Sequence, residues 1–345
     1  MILQRIALAM ALALALATAG PAWAAQVTLK FHTFMAPQSA VWREMHTVWM
    51  DKVEKESGGR IRFERYPAMQ LGGGAPNLYD QVRDGVADVI WTLPGYTPGR
   101  FPRSEVFELP FMMTSPEATS RAYWDYVQAH AKEEFRDVRL IALHVHGPGA
   151  IHTRSRAVRS IGDLEGLRMR APSRLTTRLL AALGATPVGM PVPQIPDALT
   201  KGVIEGALLP WDVVPSIKVD ELARHHAEFD PALPALYTAT FVMAMNRAKY
   251  DALPPDLKKV IDANSGLQTS AWLGRTQAAA DVPGRASAEA QGKTVTRLSE
   301  ADHQAFRKAA ERVDDEWIAE MKRRGIDGAR LLEDARTLVR KHSAK

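Results

Sequence analysis

The chain has 345 residues, no cysteine, and 44 lysines and arginines against 39 acidic residues, a net charge of +5. The missing thiol excludes disulfides, cysteine nucleophiles and cysteine-ligated metals. The basic excess is small and interspersed, and no nucleic-acid motif accompanies it, so it fits steering of a small anion rather than nucleic-acid binding.

Residues 1–24 read as a signal peptide. Arg5 is a short positive start, Ile6 to Ala17 form an apolar run, and Ala22-Trp23-Ala24 suits cleavage after Ala24. The run is too short for an ordinary spanning helix. The expectation is export to the periplasm. Val27, Leu29 and Phe31 then alternate as a strand. Pro37 opens a helix with Val41, Met45, Val48, Trp49 and Val53 on one face, and Gly58-Gly59 stop it. Arg60 to Tyr66 alternate again, Asn77 to Val86 read as a helix, and Ala87 to Leu93 as a buried strand. Leu140 to Val145 form another strand before the loop Gly147-Pro148-Gly149.

Arg168, Met169 and Arg170 alternate as a strand, which puts both arginines on one face. Pro172 and Ser173 suit a helix start, and Gly184 ends a helix over Thr176 to Leu183. A guanidinium beside a helix N-terminus is suited to a carboxylate, because its planar fork makes two parallel charge-assisted hydrogen bonds. Tyr237 to Met245 are a further apolar strand. Beyond it lie a helix from Pro255, a break or kink expected at Pro283-Gly284, a capping box at Ser299 before a helix with Phe306, Ala310, Val313, Trp317 and Met321, and a last helix over Ala329 to Val339.

One pattern occurs twice. Gln81-Val-Arg-Asp-Gly85-Val-Ala-Asp88 and Leu199-Thr-Lys-Gly202-Val-Ile-Glu205 each join a helix to a strand through a glycine, with an acid three positions later. Each unit ends in an apolar run and a proline loop, Leu93-Pro94-Gly95-Tyr96 and Leu209-Pro210-Trp211. Two similar α/β lobes would produce this echo. Enzyme signatures are weak by comparison. Gly72-Gly73-Gly74 lacks the lysine of a phosphate loop, there is no nucleophile elbow, and His144, His146, His225 and His226 offer no third metal ligand at convincing spacing. No cofactor is expected. The aromatic, proline-rich stretch from Trp91 to Pro102 suits the lining of a ligand crevice.

Taken in order, Tyr66-Pro-Ala-Met-Gln-Leu-Gly72, the two repeated units, Phe107-Glu-Leu-Pro-Phe111 and Gly166-Leu-Arg-Met-Arg170-Ala-Pro172 make the chain resemble the DctP-type solute-binding proteins of tripartite ATP-independent periplasmic (TRAP) transporters. The resemblance implies an α/β, two-lobed periplasmic-binding-protein clamshell with hinge strands and long helices. We divide it into lobe I, residues 25–147 and 238–280, and lobe II, residues 148–237 and 281–345. The resemblance also implies that Arg170 grips the carboxylate of a small organic acid between the lobes. The closed protein, expected to be a monomer, then docks on membrane permease subunits.

Two polar anchors of the sialic-acid-binding branch are missing. Ala150 or a neighbour stands where that branch has a second arginine, and Leu209 where it has an asparagine. A site without them disfavours a polyhydroxylated sugar acid. The expected pocket is His32, Phe34, Gln70, Leu93, Tyr96, His146, Leu209, Trp211 and Phe241 around Arg170. Its expected ligand is an aromatic or apolar monocarboxylate such as an aryl 2-oxo acid. A dicarboxylate is the rival, with His146, His152 or Arg100 as second cation, and Asp212 is a candidate ligand for a co-bound cation. An exported sensor or a hydrolase are the readings from other classes.

Overall fold

The computed structural model describes residues 26–344, and the signal-peptide segment lies outside them. Its strands are β1 Val27–Thr33, β2 Ile61–Tyr66, β3 Val89–Thr92, β4 Val138–Val145, β5 Ala150–Thr153, β6 Arg168–Ala171, β7 Thr186–Gly189, β8 Gly206–Leu209, β9 His225–Glu228, β10 Thr240–Asn246 and β11 Thr294–Arg297. They form two sheets, ordered β2-β1-β3-β10-β4 and β11-β9-β5-β8-β6-β7. In the first, β1, β2 and β3 are parallel and β10 runs antiparallel to β3. In the second, β6, β7 and β8 are parallel and β5 runs antiparallel to β8. Four strands of each sheet therefore share one arrangement, which is the two-lobed α/β architecture.

The repeated sequence unit has the same structural duty in both lobes. Gly85 and Gly202 both adopt positive φ, 78° and 70°, where a side chain would be strained. Three residues on, the Asp88 carboxylate accepts the Lys30 N–H at 2.8 Å, and the Glu205 carboxylate accepts the Arg168 N–H at 3.1 Å. Each acid thus satisfies a backbone donor of the neighbouring strand and locks the register of the strand that follows it.

Two chain crossings join the lobes side by side. One runs from β4 to β5 through Gly147-Pro148-Gly149, and the other runs from β9 back to β10. Gly149 N–H donates to the Tyr237 carbonyl at 3.1 Å, and the Thr238 hydroxyl donates to the His146 carbonyl at 3.1 Å. Helix Leu267–Ala279 packs on helix Pro116–Tyr126 and on β4, while the long helix Glu300–Arg323 packs on helix Arg174–Ala182 of the second lobe. The C-terminal helix Gly328–Ser343 returns to helix Pro116–Tyr126. Among the described residues no helix is long and apolar enough to cross a membrane.

Two local expectations are corrected. Val41, Met45, Trp49 and Val53 are buried as expected, but Val48 is 45% exposed. The first turn, Val41–His46, is π-helical. Its wider turn keeps residues four apart in line and rotates Val48 towards solvent. The break expected at Pro283-Gly284 falls earlier, at Ala280, between helices Leu267–Ala279 and Asp281–Ala290. Pro283 then lies in the first turn of the second helix, where its missing N–H leaves no intrahelical bond unmade.

Candidate functional site

A small cavity of about 30 Å³ lies between the lobes, at the C-terminal ends of their parallel strands. Open α/β sheets present ligand crevices at these ends, because the loops there are free to diverge. Phe34 follows β1, Leu93 follows β3, Leu209 closes β8 and Arg170 projects from β6. Phe241 of β10 and His146, just past β4, complete this part of the lining.

Arg170 is 1% exposed, whereas Arg168 on the same strand face is exposed at the opposite, N-terminal end of β6, held by the Gly202 and Val203 carbonyls. The Arg170 guanidinium donates from Nε to the Met190 carbonyl and from Nη1 to the Leu208 carbonyl, both at 2.9 Å. These bonds fix its plane. They leave Nη2 buried without a partner, and no carboxylate among the described residues pairs with this guanidinium. Burial lowers its affinity for the proton below the ordinary arginine value. An arginine stays charged in spite of that, so the cavity holds a desolvated cation with donors to spare.

The opposite character marks the walls. Trp91 and Phe241 stack with centroids 4.4 Å apart and planes within 13°. Phe34 packs on Trp91 at 5.4 Å and on Tyr96 at 5.6 Å. Behind them the Trp91 indole N–H donates to His144 Nε2 at 2.8 Å. That bond fixes the aromatic wall and requires a neutral His144, whose pKa burial pushes down to about 3. His146 is neutral too, pushed down to about 4 chiefly by burial. One of its ring nitrogens meets the Gly147 carbonyl, and the other accepts the Ala239 N–H at 3.0 Å.

The expected pocket residues separate into two groups. Arg170, Phe34, Leu93, His146, Leu209 and Phe241 line the cavity, and Tyr96 stands directly behind Phe34 and beside Arg170. His32, Gln70 and Trp211 do not line it. The His32 ring bonds Gln81 at 2.8 Å and the Leu71 N–H at 3.3 Å, bracing the loop after β2. Gln70 is exposed on that loop. Trp211 turns to the other side of its strand end, donating to Glu228 at 2.8 Å and packing on His152 and His226. Two of the three reserve cations are also elsewhere, since His152 bonds His226 and the Leu209 carbonyl, and Arg100 pairs with Asp80 at 2.7 Å.

Residues 31–320 match the family model described as bacterial extracellular solute-binding protein, family 7, the DctP family. The chain belongs to this family. Its relatives of known structure include a TRAP solute-binding protein from Rhodoferax ferrireducens in complex with copurified benzoate, 62% identical, covering 92% of this chain and 99% of that one with a TM-score of 0.92. A marine metagenome TRAP solute-binding protein specific for aromatic acid ligands, in complex with 3-hydroxybenzoate, is 44% identical over the same shares with a TM-score of 0.91. A Bordetella bronchiseptica TRAP periplasmic solute-binding protein with bound (R)- and (S)-mandelate is 28% identical, covering 91% and 99%, with a TM-score of 0.82. The protein is thus the binding component of a TRAP transporter and not an enzyme. TRAP solute-binding proteins bind small organic acids and work with membrane permease components.

Ten lining residues of this TRAP solute-binding protein stood outside the expected pocket, among them Trp91, Asp212, Tyr237 and Gln277. Trp91 opens the aromatic stretch noted in the sequence, so its ring content was a usable signal. Asp212 entered there only as a cation ligand. Tyr237 and Gln277 carry no local signal, being a crossing residue and a helix residue. Two glycines make room for this side of the cavity. A Cβ on Gly147 would sit 1.7 Å from Asp281 Oδ2, and one on Gly149 would sit 2.0 Å from the Tyr237 ring.

Proposed function

We propose that this protein captures an aromatic monocarboxylate in the periplasm, after removal of residues 1–24, and as a monomer delivers it to the permease subunits of its transporter. The observation that carries this is the Arg170 guanidinium, buried, clamped by two carbonyls and short of an acceptor, at a cavity walled by the Trp91–Phe241 stack. A carboxylate supplies the missing acceptor and neutralises a desolvated cation, which a neutral ligand cannot do. A planar ring suits flat aromatic walls, where burial contributes roughly 25 cal/mol per Å² and ring stacking adds about 0.5–1.5 kcal/mol. The benzoate, 3-hydroxybenzoate and mandelate of the three relatives support the same class.

The dicarboxylate reading lacks a second cation. Arg170 is the one permanent cation among the described lining residues, and His146 spends both ring nitrogens on the backbone. The test is a thermal-shift series with benzoate, 3-hydroxybenzoate, mandelate, succinate and glucose. Ligand that binds the native state raises the melting temperature by mass action. Stabilisation by the aryl acids alone is expected. Stabilisation by succinate or glucose without any by the aryl acids overturns the proposal.

A further inference from the structure

Three other side chains of the cavity each carry a buried polar atom without a partner: Asp212 Oδ1, Gln277 Oε1 and the Tyr237 hydroxyl. Asp212 is 4% exposed, Gln277 3% and Tyr237 1%. They form one group. Gln277 Nε2 donates to Asp212 Oδ2 at 3.1 Å, which turns both remaining oxygens into free acceptors. The Asp212 backbone N–H is taken by Asp281 Oδ1 at 2.9 Å, so the segment that carries Asp212 is anchored from behind. Tyr237 lies within electrostatic reach of Arg170, Asp212 and Asp281 alike. Arg170 itself makes no ion pair with Asp212 among the described residues, so it and the acceptor group are separate poles.

We propose that Asp212, Gln277 and Tyr237 form a donor-reading pole that selects aromatic carboxylates bearing a hydroxyl on the ring or side chain. This rests on the monocarboxylate reading above and narrows its substrate class. The polarity of the cavity carries the argument. Arg170 offers donors and requires an acceptor. Gln277 Oε1 is an acceptor and requires a donor, Asp212 Oδ1 is one once its carboxyl is ionised, and the Tyr237 hydroxyl can serve either way. A buried acceptor left without its donor is costly, so a site of this kind discriminates strongly against analogues that lack the hydrogen. The same acceptors repel a second carboxylate, which would set two anions face to face in a dry site.

Isothermal titration of the wild-type protein with benzoate, the three positional hydroxybenzoates, mandelate, 3-methoxybenzoate and isophthalate tests this without any substitution. At least one hydroxylated acid is expected to bind about tenfold or more tightly than benzoate, with the methoxy acid and the dicarboxylate weaker than benzoate. In Asp212→Asn and Tyr237→Phe the ratio between the preferred hydroxy acid and benzoate is expected to fall towards one. Benzoate binding as tightly as every hydroxylated acid in the wild type overturns the proposal, as does an unchanged ratio in both variants. Benzoate binding that tightens about tenfold in sodium over potassium assigns the acceptors to a cation and overturns it as well. If none of the aryl acids binds, the monocarboxylate reading itself is lost, an outcome distinct from equal binding of all of them.

Discussion

Arg174 holds both carboxylate oxygens of Glu105 across the boundary between the two lobes. The same guanidinium donates to Glu320 of the long C-terminal-side helix at 2.6 Å, and the Trp317 indole N–H donates to Glu105 at 3.0 Å. Arg174 opens the helix that follows β6, only four residues beyond Arg170. The proposed carboxylate anchor and the contact between lobes therefore lie on one short segment. Charge-assisted bonds of this kind contribute about 1.5–3 kcal/mol when they are made only in the closed form. Glu105→Gln is expected to raise the dissociation rate of a bound aryl acid by about tenfold or more, read by stopped-flow fluorescence of the cavity tryptophan. A dissociation rate equal to wild type would show that the latch does not govern release.

Arg170 is expected to be irreplaceable in binding. Arg170→Ala removes a buried charge pair of roughly 2–5 kcal/mol, so calorimetric affinity for benzoate should fall by more than about a hundredfold. Arg170→Lys keeps the charge but loses the planar fork and at least one of the carbonyl bonds to Met190 and Leu208. It should recover only part of the loss. Full affinity in either variant removes Arg170 as the anchor.

The Trp91–Phe241 stack belongs to the core and also lines the cavity. Phe241→Ala opens space against Trp91 and the neutral His144 that stacks on Phe241 at 4.9 Å. A cost of about 3–5 kcal/mol in unfolding free energy is expected, together with weaker aryl-acid binding. Denaturant titration separates the two effects. A stability loss with undiminished affinity would place the stack behind the cavity wall rather than in it.

Asp212 makes stability depend on pH. Burial, opposed by donation from Gln277 and the backbone, holds its carboxyl up at about 7 against an ordinary 3.8. Asp281 is also pushed upward, by burial and by Asp212. The folded state thus binds these protons more tightly than the unfolded chain. For Asp212 the resulting stability is complete below about 3.8 and is lost as pH rises through about 7. The ligand-free melting temperature should fall between about pH 4 and about pH 7.5, and Asp212→Asn should reduce that slope. Glu108 and Glu134, raised by burial, act with the same sign, so some slope remains. A variant slope equal to wild type would clear Asp212 of this role.

Gly149→Ala tests the crossing. The added Cβ has no room beside the Tyr237 ring, and overpacking of this kind costs about 1–3 kcal/mol. A lower melting temperature is expected, with a greater loss of affinity for 3-hydroxybenzoate than for benzoate. Equal losses for the two acids would mean that the tyrosine is displaced without consequence for the hydroxyl.

Strand alternation, glycine stops and the doubled helix–glycine–acid unit are local signals, and each is legible from a few neighbouring residues. They were enough to anticipate the β-α-β opening, the strand carrying Arg170, the two similar lobes and the family. The place of Arg170 at the cavity was legible because its motif is contiguous and carries the family resemblance. Leu93 and Leu209 were legible because they end equivalent strands. His32, Gln70 and Trp211 lie outside the cavity lining, and for His32 and Trp211, each at a strand end, the reason is the same. A residue next to a strand end has two ways to face, and its neighbours in sequence do not say which. Gln81 draws the His32 ring away, and Glu228 draws away the Trp211 indole.

The acceptor group marks the boundary of what the residue order could say. Asp212 and Gln277 meet across 65 positions of chain, and Tyr237 joins them from a crossing between lobes. Nothing in their own neighbourhoods distinguishes them from a loop acid, a helix glutamine and a packed tyrosine. Folding strips water from all three, with no partner for an oxygen on each. The residue order accounts for the two lobes and the arginine because helices, strands and turns follow from neighbours along the chain. The chemistry of the acceptor group follows from desolvation, which depends on what the folded chain packs around each atom.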